Sequence, residues 1–453
     1  MTPRLRKILT TAIVIVTLVV LLPLLVYLPP VQRAVINYAE QWVASHTPIG
    51  LSVERFSLKF PLRLALHDVV LTTPESDTLA VAGELQADVA LMPLITQKVV
   101  VRNVSLHDAR AYYVTPDSSL NLAAEIGRVA LLDGIIGLSD SHVKVGEIAL
   151  DNSTIAMSYK SMPDTTAQDT SATVAWDVEL ERLHLSQVDL AMSMPGVFDT
   201  LQVYMGDGEL AGANISLARQ WVDVHSVDIA QGHYRYVALP SNEDDTSVES
   251  TADVPIDTTA TQPWEVRVHQ VKLVDNNASY ITSTAEPTRG MDFSHIEASR
   301  INLQLSDVYN RGGELQLSLD TLSFYERSGL CVTQAQCHFA MTDDGVLRLS
   351  DFMLRTPFSD LSATADIDMS LMDNNPEAQL RLLAQAHLSC RDIAYIYPDA
   401  AQYYIHSTRH RSILPIHDVI AANIDIDGVA RDIVVDKFNL SQMGVFTLDS
   451  RAR

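Results

Sequence analysis

The octet VVVRNVSL, Val99–Leu106, carries apolar residues at its first, third, sixth and eighth positions and a polar pair at its centre. Alternation of apolar and polar residues marks a half-buried strand. Here the alternation slips by one residue at Arg102-Asn103. Such a slip would carry every later side chain to the opposite face of a sheet. A β-bulge absorbs the extra residue and keeps all four apolar positions on one side. The same octet recurs as LSVERFSL from Leu51, LALHDVVL from Leu64, AEIGRVAL from Ala124, VKVGEIAL from Val143 and LHLSQVDL from Leu183. It returns as VDVHSVDI from Val222, VRVHQVKL from Val266, IEASRINL from Ile296, LSLDTLSF from Leu317, LRLSDFML from Leu347 and IVVDKFNL from Ile433. Random order at this composition would give roughly six such octets, so the excess is about twofold. Many successive starts also lie about 20 or 40 residues apart. A competing reading makes the polar pair a two-residue hairpin turn, but pairs such as His-Asp, Arg-Asn, Ser-Gln and His-Gln lack the glycine those turns prefer.

Bulges bend a sheet, and bulges repeated in strand after strand curl it. The expected fold is therefore mainly β, an elongated, curled, taco-like sheet with an apolar groove. Its candidate lining comes from four octets: Val99, Val101, Val104 and Leu106; Val143, Val145, Ile148 and Leu150; Leu183, Leu185, Val188 and Leu190; Val266, Val268, Val271 and Leu273. Period two holds from Leu51 onward, as in Leu79, Val81, Gly83, Leu85, Ala87, Val89 and Leu91, so the groove region is expected over 51–453. Asp133-Gly134, Asp207-Gly208, Gly312-Gly313, Asp344-Gly345 and Asp427-Gly428 read as turns. Two acidic, apolar-poor stretches, 160–172 and 240–263, read as mobile loops. A helix is expected near Asp392 to Tyr404, interrupted at Pro398.

Ahead of the strands, residues 8–28 (ILTTAIVIVTLVVLLPLLVYL) hold no charge. That length crosses a bilayer as a helix, and Arg4, Arg6 and Lys7 place residues 1–7 in the cytoplasm. A cleaved signal peptide is the alternative, but the apolar run exceeds the usual length and leads into Tyr27-Leu28-Pro29-Pro30 rather than an Ala-x-Ala-like site. Residues 30–46 read as an amphipathic helix that plugs the membrane end of the body, with Val31, Ala34, Val35, Tyr38, Ala39 and Trp42 at helical spacing.

Among 453 residues, 32 Lys and Arg stand against 56 Asp and Glu, a net charge of −24. Nucleic-acid binders carry a basic face, so no nucleic-acid partner is expected. Anionic headgroups would repel the body, and any lipid contact should be with acyl chains in a sheltered apolar place. Three cysteines, Cys331, Cys337 and Cys390, are too few for a disulfide framework. Cys331 and Cys337 share a face if their segment is a strand, and pairing in an oxidising compartment is open to them. With His338 and His387 they match no familiar metal-ligand spacing, so no metal is expected.

The basic-flanked anchor, the Pro-Pro-Val-Gln-Arg helix start, LSVERFSLKFPLRLALHDVVL (Leu51–Leu71), LMPLITQKVVVRNVSLHDARAYY (Leu91–Tyr113) and SCRDIAYIYPD (Ser389–Asp399) together resemble the N-terminal portion of the AsmA/TamB-type family of envelope proteins. The resemblance spans essentially the whole chain and consists of degenerate patterns. It implies an inner-membrane anchor, with the bulk of the chain in the periplasm and an elongated β structure. It further implies phospholipid movement towards the outer membrane and, for TamB, outer-membrane protein assembly with a β-barrel partner. The conserved C-terminal domain of TamB is not visible before Arg453, which leaves the barrel partner an open expectation.

No Gly-rich phosphate loop, HExxH or GxSxG occurs, so neither a catalytic residue nor a cofactor is expected and the chain reads as a non-enzyme. His67, His225 and His269 fall in polar pairs, where a surface role is expected. Asp392 reads as a helix cap rather than a catalytic acid, and Arg409–Arg411 as a solvated loop. A stack of β-sandwich domains that engages another protein, and a chaperone for β-barrel precursors that adds strands at an open edge, are the competing functions.

Overall fold

A computed structural model of the chain describes residues 28–47, 49–59, 63–73, 77–90, 98–115, 119–137, 141–159, 176–195, 197–240, 263–398, 419–442 and 446–452. Residues 1–7, the apolar run 8–28 up to Tyr27, the acidic stretch 160–172, nearly all of 240–263 and Arg409–Arg411 lie outside the described residues. Among the described residues, no helix is long and apolar enough to cross a membrane. The fold is mainly β, and the chain divides into two compact units, residues 1–168 and 169–453.

The first unit opens with helix α1 (Pro29–His46), in which proline occupies the first turn, where its missing N–H costs nothing. Six strands follow: β1 (Gly50–Lys59), β2 (Arg63–Thr72), β3 (Thr78–Val89), β4 (Lys98–Val114), β5 (Leu120–Gly137) and β6 (His142–Tyr159). Each pairs antiparallel with the next. Helix α1 lies along the open edge of β1. There Gln32 Nε2 donates to the Leu58 carbonyl at 3.0 Å, and the Val53 N–H donates to Glu40 Oε1 at 3.0 Å. An edge strand offers unpaired backbone groups to any passing strand, and these two side chains occupy part of that edge.

The second unit holds β7 (Asp177–Met194), β8 (Phe198–Ser216), β9 (Trp221–Ala230), β10 (His233–Val237), β11 (Glu265–Ile281), β12 (His295–Arg311), β13 (Glu314–Glu326), β14 (Cys331–Met341), β15 (Val346–Arg355), β16 (Asp360–Asp368), β17 (Gln379–Ser389), β18 (Val419–Val429), β19 (Asp432–Gln442) and β20 (Phe446–Ala452). Strands β9 and β10 share the place beside β8, and β11 runs parallel to both. The remaining neighbours from β11 to β20 are antiparallel. A short helix α2 (Cys390–Ile396) follows β17. It begins before Asp392, earlier than the sequence pattern predicts, because Ser389 supplies the N-cap by accepting the Arg391 N–H; residues 399–404 of the expected helix lie outside the described residues.

Every octet lies inside a single strand, so the hairpin reading fails. The bulge takes two forms. Two residues oppose one at Ser299-Arg300 (against Asn277), Asp320-Thr321 (against Gln336), Ser350-Asp351 (against Thr364) and Asp436-Lys437 (against Arg451). Elsewhere the register mostly runs one-to-one across the slip, because the neighbouring strand slips at the same level. In the first unit Glu54, Asp68, Gly83, Asp108, Gly127 and Asn152 form one such line across β1–β6, skipped by each of the five ladders between these strands. Asp68, Asp108 and Asn152 have φ of 53°, 51° and 47°. These left-handed residues break the two-residue alternation in every second strand, a conformation Asp and Asn tolerate through short polar side chains. A second line, Arg102–Asp133–Gly146, runs six residues away in β4, β5 and β6, with Asp133 at φ 53°. Asp133-Gly134, Asp207-Gly208 and Asp427-Gly428 are not turns; all three lie within strands.

Cys331 and Cys337 both sit in β14. Six residues of strand separate them by about 20 Å, far beyond the roughly 5.5 Å between disulfide-bonded Cα atoms, so they do not pair. All three cysteines are free.

Candidate functional site

Residues directly opposite one another in a sheet share a face, so the register shows where the apolar positions gather. In the first unit Phe56, Leu66, Leu85, Leu106, Val129 and Leu150 form one row across β1–β6. Leu58, Leu64, Ala87, Val104, Leu131 and Ile148 form the next row. Val101 and Val145 both oppose Gly134, and Val99 and Val143 both oppose Ile136. The eight candidate residues of β4 and β6 thus stand at matching levels, with β5 between them.

In the second unit one row crosses every strand except β10. It runs Leu185, Gly208, Ile229, Leu273, Leu303, Leu322, Ala335, Leu354, Leu361, Ala386, Ala422, Leu440, Leu448. Leu183 and Val271 join a neighbouring row through Leu210 and Val227. Val266 and Val268 oppose Val222 and Val224, while Val188 and Leu190 oppose Met205 and Val203. The two-against-one bulges hold the rows together. Leu347, Leu349, Phe352 and Leu354 face Ile367, Ala365, Ala363 and Leu361, which alternate strictly along β16. Only an absorbed residue at Ser350-Asp351 lets both sets keep one face. The Phe352 row continues through Ala363, Ala384 and Ile424, which help line a cavity of about 930 Å³ together with polar residues of the same strands.

The reverse face carries ion pairs, and in the first unit also a buried row of small residues, Ser105, Ala130 and Ala149. Arg63–Asp88 (3.2 Å), Arg110–Glu125 (3.6 Å), Arg128–Asp151 (3.4 Å), Arg182–Glu209 (3.2 Å) and Arg348–Asp366 (4.0 Å) form cross-strand pairs between the apolar rows' immediate neighbours. Alternation places them on the side away from those rows.

Burial decides what covers the apolar side. Among the described residues, Leu330 is the sole buried leucine, and no isoleucine, phenylalanine or tryptophan is buried. Of the candidate lining residues, Val145 and Val188 are buried and the others half-buried. A β-sandwich core would enclose such side chains, since packed interiors leave few gaps. These rows touch one another along the sheet and lack a packed second layer.

The titratable groups singled out by the sequence, His67, His269 and Asp392, have local partners. His67 lies 3.7 Å from Glu84, and His269 lies 3.3 Å from Asp223 with the exposed His225 ring 6.2 Å away. Asp392 is buried, and its Oδ2 accepts from Thr356 Oγ1 at 2.6 Å and from the Ser359 hydroxyl, which in turn accepts the Ser389 N–H. The carboxylate ties α2 to the β15–β16 turn, a structural role within a helix whose N-cap is Ser389. Burial raises the Cys337 thiol pKa, opposed by a hydrogen bond to the Leu319 backbone. Among the described residues, no three His, Cys, Asp or Glu side chains gather where they could hold a metal.

Sequence reasoning missed the left-handed lines and the row from Leu185 to Leu448. The first has a local signal, an Asp or Asn at the slip itself; the second needs the register.

No protein-family model, curated protein or solved structure matches this chain.

Proposed function

We propose that this chain is an AsmA/TamB-like protein, anchored in the inner membrane by residues 8–28 with its bulk in the periplasm. In this reading it carries phospholipid through a curled apolar β-groove towards the outer membrane, without chemistry or a cofactor. The single observation that carries the reading is the row from Leu185 to Leu448, apolar at each step but Gly208 and lacking a packed layer above it. A sixteen-carbon acyl chain hides about 13 kcal/mol of hydrophobic free energy, at about 0.8 kcal/mol per methylene. Exposing it to an aqueous compartment is correspondingly slow. A dry strip on one face, with ion pairs on the other, lets the tail stay out of water while the headgroup remains wet. Thirteen strands at about 4.8 Å give the strip a run of roughly 58 Å, longer than any single tail. Such a strip suits movement along it rather than enclosure.

The test is lipid mass spectrometry on protein purified after mild extraction. Co-purified phospholipid is expected. Lipid-free protein with the same fold would overturn the reading in favour of a structural or chaperone module assisting outer-membrane protein assembly or secretion. Strand addition in the first unit would have to displace Gln32 and Glu40 from the β1 edge, which weighs against that alternative there.

A further inference from the structure

We propose that the outward face of α1 lies in the headgroup layer of the membrane, with Tyr38 and Trp42 as its interfacial anchors. This rests on the reading of residues 8–28 as a bilayer span and adds a second contact with the same membrane. Glu40 is held against β1 by the Val53 N–H, which fixes the inner side of the helix. Tyr38 and Trp42 stand two residues before and after Glu40, so each lies about 160° around the helix from it; from Gln32, the other contact to β1, Tyr38 lies about 120° and Trp42 about 80° around. Tyr38 is 70% exposed and Trp42 48%. Tyrosine and tryptophan side chains, apolar with a polar tip, are enriched at this depth of a bilayer.

Three further observations point to lipid rather than protein as the occupant. The extended backbone of Leu28 (φ −77°, ψ 134°) and the proline that follows make α1 a separate helix from any segment preceding it, so its axis is free to lie along a surface. A span of the 20 residues before Leu28 rises about 30 Å against a hydrocarbon core of about 30 Å, which leaves none of them to fold back over α1. Between Pro29 and His46 the charged side chains are Arg33 and Glu40, besides the terminal histidine, so α1 escapes the headgroup repulsion expected of a chain with a net charge of −24.

The experiment uses the full chain in vesicles of phosphatidylethanolamine and phosphatidylglycerol, with Trp176→Phe, Trp221→Phe and Trp264→Phe leaving Trp42 as the sole tryptophan. Quenching of Trp42 by lipids spin-labelled near the headgroup, exceeding that by deep-labelled lipids or aqueous iodide, is the expected result. Strong quenching by iodide alone overturns the proposal while leaving the anchor intact, and so does shielding from every quencher, the signature of a protein cover. Failure of the chain to float with vesicles overturns both readings. Should the tryptophan replacements unfold the protein, Tyr38→Cys in a Cys331→Ser, Cys337→Ser, Cys390→Ser background, labelled with a fluorophore, gives the same readout from an exposed position.

Discussion

Asp68 of β2, at φ 53°, sits directly opposite Gly83 of β3, and the ladder passes both by: His67 pairs with Glu84 before them and Val69 with Ala82 after. A left-handed residue thus faces a residue without a side chain, and the next pairs along the line repeat the arrangement as Asp108 with Gly127 and then Gly127 with Asn152. Asp68→Val should cost about 1–2 kcal/mol, because a branched side chain resists positive φ. Asp68→Gly should be close to neutral, since the exposed Arg55–Asp68 pair at 3.5 Å contributes little. Gly127→Val should cost more than either, because a Cβ there would come within 2.7 Å of the Asn152 carbonyl oxygen. Urea midpoints of the three variants give the order; a destabilised Asp68→Gly would refute the conformational account.

Val104 opposes Leu131, and Leu131 opposes Ile148, so a charge at Val104 enters the middle of an apolar row. Val101→Asp, Val104→Asp and Leu106→Asp should each remove about 2 kcal/mol of apolar contact with a bound tail, roughly thirtyfold in occupancy. Because these side chains are only half-buried, the fold should survive. Photo-crosslinking with an acyl-labelled phospholipid checks the effect, alongside circular dichroism for folding. Undiminished crosslinking in folded variants would contradict a groove at these rows.

How much of this could be read in advance depends on how local the signal is. The bulge at Ser350-Asp351 is written within eight residues and was legible, as was α1 from its apolar spacing. Asp133-Gly134 was misread because one preference, the ease with which Asp and Gly adopt positive φ, serves both a tight turn and an interruption inside a strand. Period two is silent on strand direction, so nothing in β9, β10 or β11 foretold that they run parallel. The candidate lining of β4 and β6 fell at matching levels because the octets were aligned on their polar pairs. Those of β7 and β11 align only in part, since through β8 and β9 the first half of the β7 octet, Leu183 and Leu185, comes level with the second half of the β11 octet, Val271 and Leu273.

Asp292 makes a prediction in pH. Backbone N–H groups of Thr288 and Ser294, with help from the Thr288 hydroxyl and His295, hold its carboxyl at about 2. A depressed carboxyl pKa contributes stability that is complete above the ordinary carboxylate range and is lost as pH falls through the folded value. The turn that carries His295, whose Nε2 lies 3.0 Å from the Ser283 carbonyl, should therefore loosen between about pH 4 and about pH 2. Asp292→Asn should lower stability at neutral pH and flatten the slope across that interval. Thermal melts against pH, with an NMR titration of the Asp292 carboxyl, check both; an Asp292 midpoint near 4 would refute the account.

The covering of β1 gives the last prediction. Gln32 and Glu40 each satisfy one backbone group of an edge strand, and a hydrogen bond of this kind contributes about 1 kcal/mol net. Glu40→Ala removes the acceptor of the Val53 N–H, and Val53 is 9% exposed, so the freed donor has little water to turn to. Hydrogen exchange at Val53 should quicken about fivefold or more. Gln32→Ala frees a carbonyl instead, an effect that amide exchange at Leu58 itself does not report, so its consequence should appear as a similar loss in overall stability. If the two losses in the double variant exceed their sum, α1 detaches once both are gone, and the edge of β1 becomes open to another strand. Added β-strand peptide should then bind the double variant and leave the parent protein unlabelled; equal binding to both would mean that the helix does not guard that edge.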